Sequence, residues 1–385
     1  MLNFTFSNTT KIHFGEGKIN EISLEIPKSS KVLVTYGGGS IKKNGIFEQV
    51  SKALEGHQWF EFSGIEPNPS YETLMKAQSI IKEQGIDFLL AVGGGSVIDG
   101  TKFIAAAAKF EGDDPWDILA KRIPITDALP IGAILTLPAT GSESNGGAVV
   151  TRNGNKLAFG NPLVRPLFAV LDPAVGLSLS DRQVSNGVVD AFVHTMEQYL
   201  TYPVNAKVQD RFAEGILLTL IEDGPKALTD EFKNNLDVRG NLMWSATMAL
   251  NGLIGSGVPQ DWATHMIGHE LTGGFGIDHA RTLSIVLPAM MKVRREQKRE
   301  KLLQYAARVW NLVEGDEDAR IDGAIKATEN FFKTMAMPIT LKDVDLGAAQ
   351  IDGLIEKLTL HGMTRLSEHR DVTPEVSRKV LEAAL

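Results

Sequence analysis

Three of the eight histidines in this chain, His265, His269 and His279, fall within fifteen residues, in the segment DWATHMIGHELTGGFGIDHA. A fourth, His194, follows Asp190 by four positions in VVDAFVHTMEQY. Imidazole nitrogens and a carboxylate suit a divalent ion such as Zn²⁺ or Fe²⁺. On a helix, side chains at i and i+4 leave the same face about 5–6 Å apart, so Asp190 and His194 can reach one ion. His265 and His269 repeat the spacing, and His279 follows a glycine-rich turn at the start of a further helix. Four ligands could be Asp190, His194, His265 and His279, with His269 beside the ion. A single pair of this kind is more often an ordinary helix pair. Their co-occurrence in a chain with few histidines and no cysteine points to a shared metal. Without cysteine there are no disulfides, thiolate nucleophiles or Cys-held zinc, so any metal must be held by nitrogen and oxygen. The other histidines, His13, His57, His361 and His369, lack partners in the sequence and read as structural or exposed.

Two segments ending in GGGS, at 37–40 and 93–96, each separate a strand pattern from a helical one. Glycines there let backbone N–H groups approach a phosphate, and a helix N-terminus adds partial positive charge. Neither is the GxGxxG fingerprint, and each alone could be a tight turn. In the second, Ser96 can cap the helix and Asp99 falls in its first turn. The pyrophosphate is therefore assigned to Gly94, Gly95 and Ser96. After the first strand, an NAD site usually offers a carboxylate to the ribose hydroxyls. Here Tyr36 is followed by Gly37, Gly38, Gly39 and Ser40, with Lys42 and Lys43 just beyond. That combination suits a 2′-phosphate and predicts NADP(H) over NAD(H). The small polar loop at 138–145, which contains Thr140, could line the nicotinamide side.

Elements that could position these groups follow from periodicity. Strand patterns at 31–36, 86–92, 130–138 and 168–171 alternate with helical ones, which implies a parallel sheet. Beyond about residue 179 the patterns are helical: 181–200, 206–228, 236–252, 260–272, 280–293, 298–313, 317–336, 346–361 and 374–384. The expected fold class is therefore α/β plus all-α. A Rossmann-like dinucleotide-binding domain is read at 1–178 and an all-helical metal-binding domain at 179–385. The basic run KVRREQKREK at 292–301 reads as a solvated helix face. A net charge of −8 argues against general nucleic-acid or anionic-membrane binding. No apolar run reaches the roughly 20 residues needed to span a bilayer, and the polar start of the chain leads to the expectation of a cytoplasmic protein.

Taken together, KIHFGEGKI, EPNPSYET, GGGSVIDGTK, TLPATGSES, VVDAFVHTMEQY and HMIGHELTGGFGIDHARTLSIVLP resemble the iron-containing (metal-dependent, group III) alcohol dehydrogenase family. Within it, the GGGS at 37–40 and the DWATHMIGHEL segment are similar to the branch of NADPH-dependent butanol dehydrogenases and broad-range aldehyde reductases. The resemblance implies a dehydroquinate-synthase-like fold, with the cofactor between the two domains, and a dimer or larger assembly. It implies one Fe²⁺ or Zn²⁺ on Asp190, His194, His265 and His279, with His269 near the nicotinamide. Cofactor positions carried over are Gly38, Ser40, Asn68, Gly94, Gly95, Ser96, Asp99, Thr136, Thr140 and Lys156. Two departures from the commoner family pattern are the missing acid after the first strand and TLPAT in place of TTxGT.

The implied reaction is reversible reduction of an aldehyde to a primary alcohol by NADPH, with the metal as Lewis acid and His269 or water relaying the proton. Between Asp261 and Ala280 there is no Lys or Arg, whereas Trp262, Met266 and Phe275 are apolar. Arg281 is the one nearby cation. Short neutral aldehydes are therefore expected as substrates, and a lyase of the same fold acting on a phosphorylated substrate is disfavoured.

Overall fold

Runs such as KVLVTY and FLLAVG are apolar on both faces, the composition of parallel strands covered on either side. The computed structural model of the chain describes residues 1–385. Its strands are β1 (Lys11–Phe14), β2 (Lys31–Tyr36), β3 (Gln58–Phe62), β4 (Phe88–Gly93), β5 (Ile131–Leu135), β6 (Gly147–Arg152), β7 (Asn155–Gly160) and β8 (Phe168–Leu171). Six of them form a parallel sheet in the order β1-β8-β5-β4-β2-β3. The two outermost strands escape a sequence reading because half of each faces outward. KIHF and QWFEF carry polar residues between apolar ones and never form a continuous apolar run.

The β6–β7 hairpin, also unforeseen, turns through Asn153 and Gly154, both at positive φ (51° and 76°). Asn-Gly is the strongest two-residue hairpin signal, because both residues tolerate the left-handed conformation. The longer helices of this part are α1 (Ile46–Ala53), α2 (Ala77–Gln84) and α3 (Gly95–Ala107). Ser70 caps a short turn at Tyr71–Met75 that precedes α2, accepting from the Thr73 N–H at 3.3 Å. The core beneath β2, β4 and β8 joins Val32, Val34, Leu90, Val92, Phe168 and Val170 to Ile46 and Val50 of α1.

The remaining helices are α4 (Asp181–Tyr199), α5 (Lys207–Lys226), α6 (Leu236–Leu250), α7 (Ala263–Phe275), α8 (His279–Val293), α9 (Arg299–Arg308), α10 (Glu317–Thr334), α11 (Ile351–Leu360) and α12 (Pro374–Ala383). Ser180 and Gln183 form a capping box at the start of α4, each satisfying a backbone N–H of the other's turn. A core of Ile267, Leu271, Ile285, Val286, Leu354, Leu358 and Val380 binds α7 and α8 to α11 and α12.

The chain divides into two compact units: residues 7–179, and residues 180–385 together with Met1–Phe6. The first residues run along the helical unit, where the Leu2 N–H donates to Gly257 O at 2.9 Å. No helix is long and apolar enough to cross a membrane.

The basic run at 292–301 corrects the sequence expectation. Arg294, Lys298 and Lys301 are buried rather than solvated. Arg294 is paired with Asp371 at 2.5 Å, and Lys301 with Asp210 at 2.6 Å.

Candidate metal centre and nucleotide loops

Within the helical unit, α4 is buried along most of its length, and Asp190 and His194 project from it only 3% and 5% exposed. His265 lies in the first turn of α7, and His279 is the first residue of α8. One carboxylate oxygen organises the cluster. Asp190 Oδ1 stands 3.8 Å from His194 Nε2, 3.9 Å from His265 Nε2 and 3.8 Å from His279 Nε2. These separations are too long for hydrogen bonds. Ligand atoms about 2.0–2.2 Å from a tetrahedral ion stand roughly 3.3–3.6 Å apart, so each of these three separations is within a few tenths of an ångström of sharing an ion. His265 Nε2 is buried and makes no hydrogen bond, as a ligand atom should be. The donor atoms of Asp190, His265 and His279 all lie within 4.8 Å of one another, a set that can hold a metal ion, whereas the expected fourth ligand, His194, approaches Asp190 but stands outside that set.

Close packing brings the helices to this distance. A Cβ on Gly268 would lie 2.7 Å from Thr282 Oγ1 and 3.0 Å from Leu283 Cδ2, so only glycine lets α8 approach α7 here. His269, half-buried, has its ring 5.0 Å from that of His279 and 6.4 Å from that of His265. It lies beside the cluster.

Glu197, one turn beyond His194, escapes a sequence reading. Its Oε2 contacts His265 Nδ1 in a very short hydrogen bond, and its Oε1 accepts from the Thr264 N–H at 2.7 Å. This carboxylate–imidazole pairing directs Nε2 toward the cage and raises ligand basicity. Burial opposes a charge on His265, yet Glu197 and Asp190 outweigh it and hold its pKa above the ordinary imidazole value. The local field thus favours a cation. The only signal for Glu197 in the sequence is an acid three residues after a candidate ligand, on the same helix face. Asp278 is likewise clamped, accepting from Arg182 Nε at 2.7 Å and Asn186 Nδ2 at 2.9 Å, both on α4. Arg281 points elsewhere, its Nη1 donating to Ala336 O at 3.3 Å. The histidines outside the cluster do have partners: His13 meets Glu25 at 2.9 Å, His361 meets Glu270 at 2.6 Å, His57 meets Ile26 O, and His369 packs on Tyr202.

In the α/β unit the two glycine loops lie at the carboxyl ends of neighbouring strands β2 and β4. Gly94, not Ser96, occupies the N-cap of α3, and no side chain caps it. That arrangement leaves first-turn N–H groups for an anion. A Cβ on Gly95 would fall 2.5 Å from Thr140 Oγ1, which seats the 138–145 loop against the helix start. The Thr136 N–H donates to Gly93 O at 3.0 Å. Asn68 sits at φ 54° in the loop before Tyr71, and Lys156 lies on β7.

Asp99, partly buried, accepts from Ser142 Oγ at 2.6 Å and from the Val149 N–H at 2.9 Å, beside the buried Lys102. Lys102 donates to Ser142 Oγ, Asn145 Oδ1 and Gly147 O. After β2, Gly39 adopts φ 87° and Ser40 opens a single 3-10 turn rather than a long helix. A carboxylate does reach this loop, from the neighbouring strand β3. Glu61 on β3 accepts from Tyr36 Oη at 2.5 Å and from Lys42 Nζ at 2.6 Å. Lys42 is therefore not a free cation.

The chain matches the model for iron-containing alcohol dehydrogenase over residues 9–173, and that for the C-terminal part of the Fe-containing alcohol dehydrogenase family over residues 184–385. It is 60% identical to the NADPH-dependent aldehyde reductase YqhD of Escherichia coli (strain K12), with both chains covered completely. Identity to the probable NADH-dependent butanol dehydrogenase 1 of Bacillus subtilis (strain 168) is 39%, again over the whole of both. The crystal structure of YqhD superposes with a TM-score of 0.98 at 59% identity, covering 100% of this chain and 99% of that one. NADH-dependent butanol dehydrogenase A of Thermotoga maritima superposes with a TM-score of 0.94 at 35% identity, with the same coverage.

Proposed function

This chain belongs to the iron-containing alcohol dehydrogenase family, and from that premise we propose that it is an NADP(H)-dependent aldehyde reductase and alcohol dehydrogenase. In the reductive direction an aldehyde, NADPH and a proton give a primary alcohol and NADP⁺. The observation that carries the reading is the single carboxylate oxygen of Asp190 held 3.8–3.9 Å from three imidazole Nε2 atoms. A 60% identical relative bearing the name NADPH-dependent aldehyde reductase supports the activity and the cofactor.

In this reading Asp190, His194, His265 and His279 hold one Fe²⁺ or Zn²⁺ per subunit. Glu197 fixes the His265 tautomer, and the Gly268–Thr282 contact sets the spacing of α7 and α8. When bound, the metal supplies Lewis acidity toward a carbonyl oxygen and the reduced nicotinamide supplies the hydride. His269 is the proposed catalytic acid, supplying the proton that the product hydroxyl requires. Trp262, Met266 and Phe275 give short neutral aldehydes an apolar surround, and Arg281 is turned away from them.

The α/β unit is the proposed dinucleotide-binding domain and the helical unit the metal-binding domain. Gly37, Gly38, Gly39 and Ser40 take the adenosine end, and Gly94, Gly95 and Ser96 the pyrophosphate. Asn68, Thr136, Thr140 and Lys156 complete the cofactor contacts. Asp99 is proposed among these contacts and also holds the Ser142 side chain and the Val149 backbone in position. We further propose a homodimer, with the outer edge of β1 as the pairing surface, and a cytoplasmic location; light scattering and cell fractionation check these.

NADPH and NADH consumption across a panel of straight-chain aldehydes, with metal content determined on the same sample, tests the reading. Metal-dependent oxidation with a clear preference for NADPH is expected. Equal efficiency with both nucleotides would reject the cofactor assignment, and no aldehyde-dependent oxidation by metal-loaded protein would reject the activity.

A further inference from the structure

Lys298 immediately precedes α9, and its side chain turns inward to 4% exposure. Its ammonium has three kinds of partner: Leu200 O at 2.6 Å, Asp261 Oδ2 at 2.8 Å, and the Glu368 carboxylate at 3.0 and 3.2 Å. Both acids are as buried as the lysine. None of the three ionic groups has a part in the mechanism above.

Two of these partners are the ends of ligand-bearing helices. Leu200 is the C-cap of α4, which carries Asp190, His194 and Glu197, and a cation there also suits the helix dipole. Asp261 opens the turn into α7. Its N–H donates to Glu197 O at 2.9 Å, and its Oδ1 accepts from the Ala263 N–H at 3.1 Å. Trp262 follows at φ 64°, a left-handed conformation that a bulky residue keeps only where its surroundings impose it. Two residues on, the Thr264 N–H meets Glu197 Oε1 at 2.7 Å, and His265 Nδ1 meets Oε2. Burial opposes the Lys298 charge, but Asp261 and Glu368 outweigh it and hold its pKa above the ordinary lysine value.

We propose that the buried Lys298–Asp261–Glu368 triad is a positioning device for the metal centre, locking the end of α4 to the start of α7 so that Glu197 and His265 meet in register. The proposal rests on the reading of Asp190, His194, His265 and His279 as metal ligands. A buried ion cluster adds little stability over packed apolar side chains, so geometry is the property it can deliver.

Cobalt(II) titration of the metal-free full-length protein, followed by its visible d–d band, tests this alongside separately measured melting temperatures. Lys298→Met is expected to weaken cobalt binding about ten- to hundredfold, as other outer-layer changes at metal sites do, and to shift the band. Lys298→Arg should recover part of the affinity. Should Lys298→Met fail to fold, the triple variant K298M/D261N/E368Q, which leaves no buried charge alone, decides the matter. A folded triple variant with wild-type cobalt affinity and an unshifted band overturns the proposal. Wild-type protein that takes up no cobalt overturns the metal reading, and this proposal with it.

Discussion

Replacing Gly268 with alanine inserts one methyl group between α7 and α8, directly between the turns that carry His265 and His279. The new Cβ would lie 2.7 Å from Thr282 Oγ1, where ordinary contact begins at 3.4 Å, so about 0.7 Å must be found. Moving α8 outward carries His279 away from Asp190 by a comparable amount. Rotating Thr282 instead breaks the 2.7 Å hydrogen bond from its buried hydroxyl to His279 O. Both routes act on His279. Overpacking of this kind costs about 1–3 kcal/mol of stability. Metal sites tolerate only about 0.2 Å in ligand distance, so affinity should fall further than stability. Gly215, in the exposed middle of α5 with nothing within 4 Å of its would-be Cβ, supplies the control. Gly215→Ala should leave the metal untouched and gain about 0.5–1 kcal/mol from helix propensity. Metal content after dialysis and thermal melts of both variants provide the assay. Full metal content and an unchanged melting temperature in Gly268→Ala would refute the close-packing argument.

Glu197→Gln keeps the Thr264 bond but can turn an amide N–H toward His265 Nδ1; metal affinity should fall about 10- to 100-fold, and an unchanged affinity would remove Glu197 as the orienting group. His265→Ala should abolish metal retention and turnover together. His269→Ala should keep the metal but slow turnover, and an undiminished rate would exclude it from proton transfer. Burial lowers the pKa of Lys102 to about 8, against the pull of Asp99 and Glu143. Between about pH 8 and 10.5 the unfolded lysine binds a proton that the folded one has shed, so this group makes stability rise with pH, by on the order of 2–3 kcal/mol. Denaturant melts at pH 7.5 and 10 should show that increment in the wild type relative to Lys102→Met. Parallel pH profiles would count against it.

The central strands and the long helices are legible because burial on both faces, or along one stripe, writes a strong period into the sequence. The candidate metal cluster is legible because rare residue types recur at helical spacing, at Asp190 and His194 and again at His265 and His269. Features that depend on a neighbour distant in sequence cannot be read in this way. Glu61 looks like any acid on an edge strand until β3 places it beside Tyr36 and Lys42. Lys298 looks like one more charge in a basic run until Asp261 and Glu368 are folded around it. Composition favours Ser96 as a cap, whereas the backbone turns earlier, at Gly94. The Asn153-Gly154 turn, by contrast, is a local signal that needs no distant neighbour, and it marks a hairpin that the flanking strand patterns alone do not.

Because Met1–Phe6 joins the helical unit while residues 7–179 form the other, the sheet-bearing unit is an insertion within the helical one. During synthesis the opening hexapeptide must wait for the ribosome to deliver Gly257 before Leu2 and Phe4 can settle there. A gene truncated to begin at Ser180 would therefore encode an unfinished body.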